Sequence, residues 1–199
     1  MKKIKYKMTV EDEWSSIHPQ DLWIYNKLQI SQMLGYTCGP AGLEVPSSGI
    51  YIIRPCMNFM GMGRYARMDY LESDTEHLHP GEFWCEIFEG EHISVDYYQG
   101  KQELTVKGER DPQDPLYKWK KWYKVERDIP LPKLFKELSE RYDWINCEYI
   151  DGKLIEIHLR ANPDFRYNND SVIPIWEGDK VERYIKDNDY RRLGFIIDG

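Results

Sequence analysis

Two segments of the chain carry residue types that suit a phosphate-bearing ligand. The first is Tyr51-Ile52-Ile53-Arg54-Pro55-Cys56-Met57-Asn58-Phe59-Met60-Gly61-Met62-Gly63. It reads as an interior strand that delivers a cation, Arg54, and is then stopped by Pro55. Gly61 and Gly63 would let backbone amides approach an anion closely. The second is Leu154-Ile155-Glu156-Ile157-His158-Leu159-Arg160-Ala161-Asn162-Pro163. Strand alternation puts Glu156, His158 and Arg160 on one face, and Ile155, Ile157 and Leu159 on the other. A cation and a glycine-containing loop on one wall, with metal-type ligands on the other, suit a nucleoside triphosphate. The bland readings stay open at this point. A Gly-x-Gly pair is common in ordinary loops, and alternation alone also predicts the solvated side of a hairpin.

The elements that must position these groups follow from turn signals and periodicity. Asp151-Gly152 reads as a hairpin turn between Trp144–Tyr149 and Lys153–Leu159. If the Asp151-Gly152 turn is a bulged hairpin loop, Glu148 lies opposite Glu156 on the same face. If the loop is a plain two-residue turn, Cys147 takes that place and Glu148 points away. Two adjacent carboxylates favour a cation between them, and Mg²⁺ held by carboxylates and phosphate oxygens fits. Further upstream, Asp21 reads as the N-cap of a helix reaching Leu34, with Gly35 as its stop. Gly81–Phe88 and His92–Gln99 read as a strand pair turning at Glu89-Gly90-Glu91. Residues 107–128 read as a charged excursion. Pro130 and Pro132 open a helix whose apolar residues are Leu131, Leu134, Phe135 and Leu138. The charged segment Asp179–Arg192 reads as a last helix.

Composition narrows the class. The chain has 199 residues, 41% hydrophobic and 14% aromatic, enough for one large domain or two small lobes. A net charge of −7 argues against nucleic acid bound over the whole surface. Cys38, Cys56, Cys85 and Cys147 form no Cys-x-x-Cys pair, which argues for reduced thiols and against structural zinc. No signal peptide or 18-residue apolar run is seen, so the expected location is the cytoplasm, with no membrane partner. In Lys118-Trp119-Lys120-Lys121-Trp122-Tyr123-Lys124 the aromatics could stack on nucleic-acid bases. Packing of the rings with wet lysines is the preferred reading. His77 and His79 are read as exposed loop residues, not as a metal site. Strands and helices are interspersed without βαβ alternation, which points to an α+β fold.

The order of these segments resembles the ATP-grasp superfamily. Asn26-Lys27, a helix, Gly35, the Pro46 loop and Ile52-Ile53-Arg54-Pro55 resemble its opening, where a strand ends in lysine-proline before a glycine-rich loop. Trp84 through Asp96, with Glu86 and Glu89-Gly90-Glu91-His92, resembles its central hinge. Glu156-Ile157-His158, then Arg160 and Asn162-Pro163, resembles its Glu-x-Asn metal motif. In overall character the chain also resembles small proteins of tailed phages, which would place it in the host cytoplasm.

The resemblance implies a core of two small lobes, residues 36–82 and 83–199, after an N-terminal arm and helix of 1–35, with ATP in the cleft between them. It implies that Lys27 and Arg54 hold the phosphates under a loop containing Gly61 and Gly63. Glu86 and Phe88 would line the adenine slot, and Glu91 or His92 would reach the ribose. Glu148, Glu156 and His158 would hold Mg²⁺, with Mn²⁺ a possible substitute, and Arg160 would stabilise charge during phosphoryl transfer. The activity implied is an ATP-dependent carboxylate–amine ligase working through an acylphosphate. Four departures stand out: Arg54 for lysine, His158 for asparagine, His92 for the ribose glutamate and Asn26 for aspartate. The match begins near residue 26, where the family carries a preceding domain, so a partner chain could supply the acceptor site. The alternative is a non-catalytic protein that keeps the scaffold to bind a nucleotide or a protein.

Overall fold

The computed structural model describes residues 15–57, 63, 65–165 and 167–198. Gly61, its neighbours in the loop and the basic N-terminus lie outside the described residues. The strands form two antiparallel sheets. Strands β1 (Cys38–Pro40), β2 (Gly49–Pro55), β3 (Arg67–Leu71) and β4 (Glu82–Cys85) make the smaller, in the order β1-β4-β2-β3. The larger holds β5 (His92–Tyr98), β6 (Lys101–Glu109), β7 (Lys121–Lys124), β8 (Trp144–Ile150), β9 (Lys153–His158), β10 (Ser171–Trp176), β11 (Ile185–Asp189) and β12 (Arg192–Asp198). Its order is β11-β12-β10-β7-β6-β5-β8-β9. The architecture is α+β, with few and short helices.

Each sheet buries one face by period-two alternation. Tyr51, Ile53, Leu71 and Trp84 pack under the small sheet with Val45 and Leu78. In the large sheet Ile93, Val95 and Tyr97 of β5 join Ile145, Cys147 and Tyr149 of β8. Leu154 and Ile157 of β9 complete that face, which is covered by Ile24, Tyr25, Ile30, Phe135 and Leu138. Phe135 begins a short helix, α2 (Lys136–Arg141) once α1 (Lys27–Met33) is counted first. The opposite face of the large sheet has its own small core of Val106, Phe165, Val172 and Phe195. The rest of that face carries polar residues with Trp119, Trp122 and Trp176 at one side, and lines a cleft.

Several sequence expectations change. The single helix from Asp21 is two: a 3-10 turn over Pro19–Tyr25, then α1. Asn26 breaks them at φ −83°, ψ 93°, and its side chain caps α1 by accepting from the Gln29 N–H. Asp21 is no cap but a buried partner of Arg141 and Tyr142. Gly35 does follow the helix at φ 75°. Gly81–Phe88 and His92–Gln99 do not pair; β4 ends at Cys85 in the small sheet and β5 opens the large one. The reason is that Cys85 and Trp84 are recruited opposite Ile52 and Ile53, leaving residues 86–91 as a connection between sheets. The 107–128 excursion contains the end of β6 and all of β7, which pair with each other. Asp179–Arg192 is not helical: it holds β11 and the turn into β12. There Ile185 packs on the Phe195 core and Arg192 pairs with Asp164 and Asp187, contacts that outweigh local helix preference.

The hairpin at Asp151-Gly152 corrects that choice: it has the plain turn, yet the pairing expected of the bulged loop. The turn is the plain two-residue kind, with positive φ at both residues and Ile150 opposite Lys153. A bulge then follows at Ile155, because Tyr149 faces Leu154 while Glu148 faces Glu156. Glu148 and Glu156 therefore share a face. Ile155 does not join the buried face with Ile157 and Leu159; it lines the open side.

Candidate functional site

A cleft of about 1070 Å³ lies between the outer face of the small sheet and the polar face of the large one. Three elements bring cations and carboxylates into it. The Asn26 cap sets Lys27 as the first residue of α1, and the Lys27 N–H donates to the Cys56 carbonyl at the end of β2. The buried Lys27 ammonium lies 3.0 Å from Glu156 Oε2. Arg54 closes β2 with its guanidinium 5.2 Å from the Phe83 ring centre. It donates from Nη1 to the Ile155 carbonyl at 3.3 Å, a carbonyl turned toward it by the bulge. Strands β8 and β9 supply Glu148 beside Glu156.

The electrostatics are those of a compensated cluster. Burial pushes Glu156 up, but the Lys27 charge and a hydrogen bond from His158 hold it well below the ordinary carboxylate range. His158 Nε2 is 3.3 Å from Glu156 Oε1. Burial likewise pushes Glu148 up, and its bond to His92 Nε2 at 3.0 Å brings it below its usual value. The Lys27 ammonium is depressed by burial, with Glu156 opposing. Like charges side by side are costly without such partners.

The other residues singled out from sequence fall around this cluster. Gly63 lines the cleft at φ 59°. Glu86 lines it too, while its carboxylate accepts from the Thr37 N–H at 2.7 Å. Phe88 meets Tyr36 edge-on, ring centres 4.8 Å apart. Glu91 is ion-paired to Lys107 and, at 2.5 Å, to Arg127. Arg160 reaches the cleft but is not on the strand, since β9 ends at His158. The chain turns there because Asp96 accepts the Asn162 N–H on both oxygens, at 3.0 and 2.9 Å.

Among the described residues no group of three or more His, Cys, Asp or Glu side chains forms a ready metal cage. The donor set nevertheless fits Mg²⁺, which takes one or two carboxylates and completes its shell with phosphate oxygens and water. His158 is the weaker ligand for a hard ion, and it is turned to Glu156.

No family model and no curated protein matches the sequence. Solved structures do. A protein of Archaeoglobus fulgidus described as an ATP-grasp superfamily member aligns over 87% of this chain, at TM-score 0.50 and 13% identity. The fold is ATP-grasp-like. The chain spans 64% of that protein. Weaker likenesses reach the ATP-grasp ligase PsnB, complexed with a phosphomimetic precursor variant, Mg and ADP, at TM-score 0.44, 15% identity, 73% of this chain and 53% of that one. The L-amino acid ligase of Bacillus licheniformis aligns at TM-score 0.43, 14% identity, 71% of this chain and 41% of that one.

Within the ATP-grasp-like cleft, sequence reasoning missed a second polar row. Ser94, Asp96 and Asn146 lie one step along the sheet from Glu148 and Glu156. Asn146 Nδ2 donates to Ser94 Oγ at 2.7 Å and to Asp96 Oδ1 at 2.8 Å. The signal was present in the alternation of His92, Ser94 and Asp96 along β5. The tryptophans of the 118–124 run pack as expected: Trp119 and Trp122 sit 4.6 Å apart, and Lys120 and Lys124 turn outward to Asp111 and Asp170. His77 and His79 are exposed. Cys85 and Cys147 are buried and Cys38 and Cys56 partly so, all four as free thiols. No helix among the described residues is long and apolar enough to cross a membrane.

Proposed function

We propose that the protein is an ATP-dependent carboxylate–amine ligase whose nucleotide lies between two lobes, one built on each sheet and joined through residues 86–91. The observation that carries this reading is the meeting of Lys27 and Arg54 with the Glu148–Glu156 pair in one cleft. Lys27 and Arg54 bind the phosphates, Arg54 with a fork that suits two oxygens. Gly63, which lines the cleft, belongs to the covering loop. Glu86 and Phe88 flank the adenine, and Glu91 or His92 takes the ribose. Glu148 and Glu156, with His158 beside them, hold the metal. Bound Mg²⁺ would neutralise phosphate charge and order the oxygens.

The reaction runs in two steps. A carboxylate oxygen of the acid attacks the γ-phosphorus; the bond to the β-phosphate oxygen breaks, giving an acylphosphate and ADP. An amine then attacks the acyl carbon, phosphate leaves with the electron pair of the C–O bond, and the amine proton is lost to give the amide. The chain's own work is positioning and charge stabilisation, with Arg160 facing the oxygens that gain charge. A bound ligand raises stability, so excess Mg-ATP should raise the melting temperature of the wild type and leave Glu156→Ala unmoved. A wild type that does not shift removes the reading.

The compensated state of Glu156, already bonded to Lys27 and His158, favours one second reading: a non-catalytic protein that binds a nucleotide or a protein through this scaffold. ATP turnover with any acid–amine pair excludes it.

A further inference from the structure

The cleft has a second compartment with different chemistry. On the polar face of the large sheet, His92 of β5 stands opposite Gly108 of β6, and Gly108 opposite Trp122 of β7. Trp119 lies against both His92 and Trp122, with ring centres 4.7 and 4.6 Å away. Trp176 ties the wall together, its indole N–H donating to the Trp119 carbonyl at 2.8 Å. The wall is seated on a missing side chain. A Cβ at Gly108 would come within 2.7 Å of the Trp119 ring and 2.9 Å of the Trp122 ring. Glycine weakens a strand interior and commonly marks a close approach; here it lets two indoles lie down on β6.

Two facts point to a ligand. Trp119 and Trp122 are half buried and line the cleft, so part of each ring stays accessible from it. Their indole N–H groups make no hydrogen bond among the described residues, whereas those of Trp84 and Trp176 do. Tyr and Trp usually satisfy their polar atom when buried, and both are enriched at interfaces where one end of the ring is apolar and the other wet. Size agrees. The cleft of about 1070 Å³ stands at the top of the ~300–1,000 Å³ range of single-ligand pockets. The wall lies on β6–β7, to one side of the β8–β9 carboxylates, and meets them through His92, which packs on both indoles and bonds Glu148.

We propose that Trp119, Trp122 and Trp176 form the acceptor compartment, which takes an acid or amine bearing a planar aromatic group. This rests on the ligase reading for the location of the nucleotide. The ring stacks edge or face on the two half-buried indoles, and an acceptor atom on or near it meets a free indole N–H. Aromatic pairs of this kind add about 0.5–1.5 kcal/mol beyond burial alone, so preference for an aromatic over an aliphatic ligand should be of order three- to tenfold.

The test is calorimetric titration of the full chain with Mg²⁺ and the non-hydrolysable analogue AMPPNP, followed by a matched panel: phenethylamine, 3-phenylpropionate and phenylalanine against 3-methylbutylamine, 4-methylpentanoate and leucine. The expected result is at least threefold tighter binding of the aromatic member in one pair or more, with quenching of tryptophan fluorescence. Trp119→Leu, which stays apolar but removes the aromatic ring, and Gly108→Ala, which lifts both rings, should abolish the preference while AMPPNP affinity falls by clearly less than the panel binding. No aromatic preference in any pair overturns the proposal. So does a loss of AMPPNP affinity in Trp119→Leu equal to the loss of panel binding, because the wall then belongs to the nucleotide base. Absence of AMPPNP binding with the aromatic preference intact instead sinks the ligase reading and leaves an aromatic site standing.

Discussion

Asp21 and Glu156 are both buried carboxylates that meet cations, and they are built differently. Asp21 takes two guanidinium bonds from Arg141, at 3.1 and 2.7 Å, and a third from the Tyr142 hydroxyl at 2.8 Å. The Arg141 side chain reaches water, and none of the three residues lines the cleft. Their effect is to clamp the 3-10 turn to α2. Glu156 meets the Lys27 ammonium and the His158 imidazole, and both residues line the cleft. A carboxylate held by a bidentate fork is fixed in place. One held by a point charge on a flexible stem can exchange that charge for another. The first arrangement suits a joint, the second a site whose partners can be exchanged.

The largest expected effect breaks the second arrangement. Glu156→Ala leaves the Lys27 ammonium buried without its main counter-charge, which costs about 3–5 kcal/mol by analogy with other broken buried pairs. Lys27→Met with Glu156→Gln removes both charges at once and should recover most of that loss in chemical denaturation. The double variant should still fail to shift with Mg-ATP. If the single and double variants are equally unstable, the pair is not coupled, and the contrast with Asp21 falls.

Asp96 gives a third case, a buried carboxylate bonded to amide donors. Burial pushes it up to about 6, against hydrogen bonds from the Asn162 N–H and Asn146. Its sign is opposite to that of Glu156. Above its ordinary value of 3.8 the unfolded chain releases the proton that the folded chain keeps until about pH 6. Stability from this group is therefore highest below about pH 4 and falls as pH rises to about 6, by about 3 kcal/mol. Asp96→Asn should remove that decline. The stability difference between wild type and variant, followed by urea unfolding from pH 4 to 7, should change through this window; a flat difference would count against the assignment.

Asp21→Ala should cost less, about 1–2 kcal/mol, because the freed Arg141 is already hydrated and only the half-buried Tyr142 hydroxyl loses its acceptor. Its Mg-ATP shift should be intact. A lost shift would mean that the clamp reaches the cleft and that the two clusters are one unit.

How much of this was legible before the structure depended on the range of the interactions. Glu156, His158 and the Asp151-Gly152 turn follow from local rules of alternation and turn chemistry, and they hold. Arg54 and Lys27 are local at their strand end and helix start, and the structure brings both to the same carboxylate strand. The failures are non-local. Gly81–Phe88 has the composition of a hairpin arm, yet β4 pairs with β2 some thirty residues back. Residues 179–192 are charged enough for a surface helix, yet Arg192 and Ile185 are claimed by Asp164 and Phe195 across the sheet. Asp96 was visible as the third polar residue in the alternation of β5, but its bond to the Asn162 N–H is non-local and was not.

The smallest expected effect tests how the exchangeable charge is aimed. Asn26 stops the 3-10 turn and caps α1, so Lys27 is the first helical residue and its backbone is tied to the end of β2. Asn26→Ala loses the bond to the Gln29 N–H at 3.1 Å, and cap losses of this kind cost about 1 kcal/mol. In a helix of seven residues, fraying at the first turn moves Lys27 directly, so the Mg-ATP shift should shrink along with the melting temperature. Asn26→Asp keeps the cap and adds a charge favourable to the helix start, worth a few tenths of a kcal/mol, and should preserve both. If Asn26→Ala lowers the melting temperature but leaves the ligand shift whole, Lys27 is aimed by its bond to Cys56 and not by the cap, and the helix start is only a joint, like Asp21.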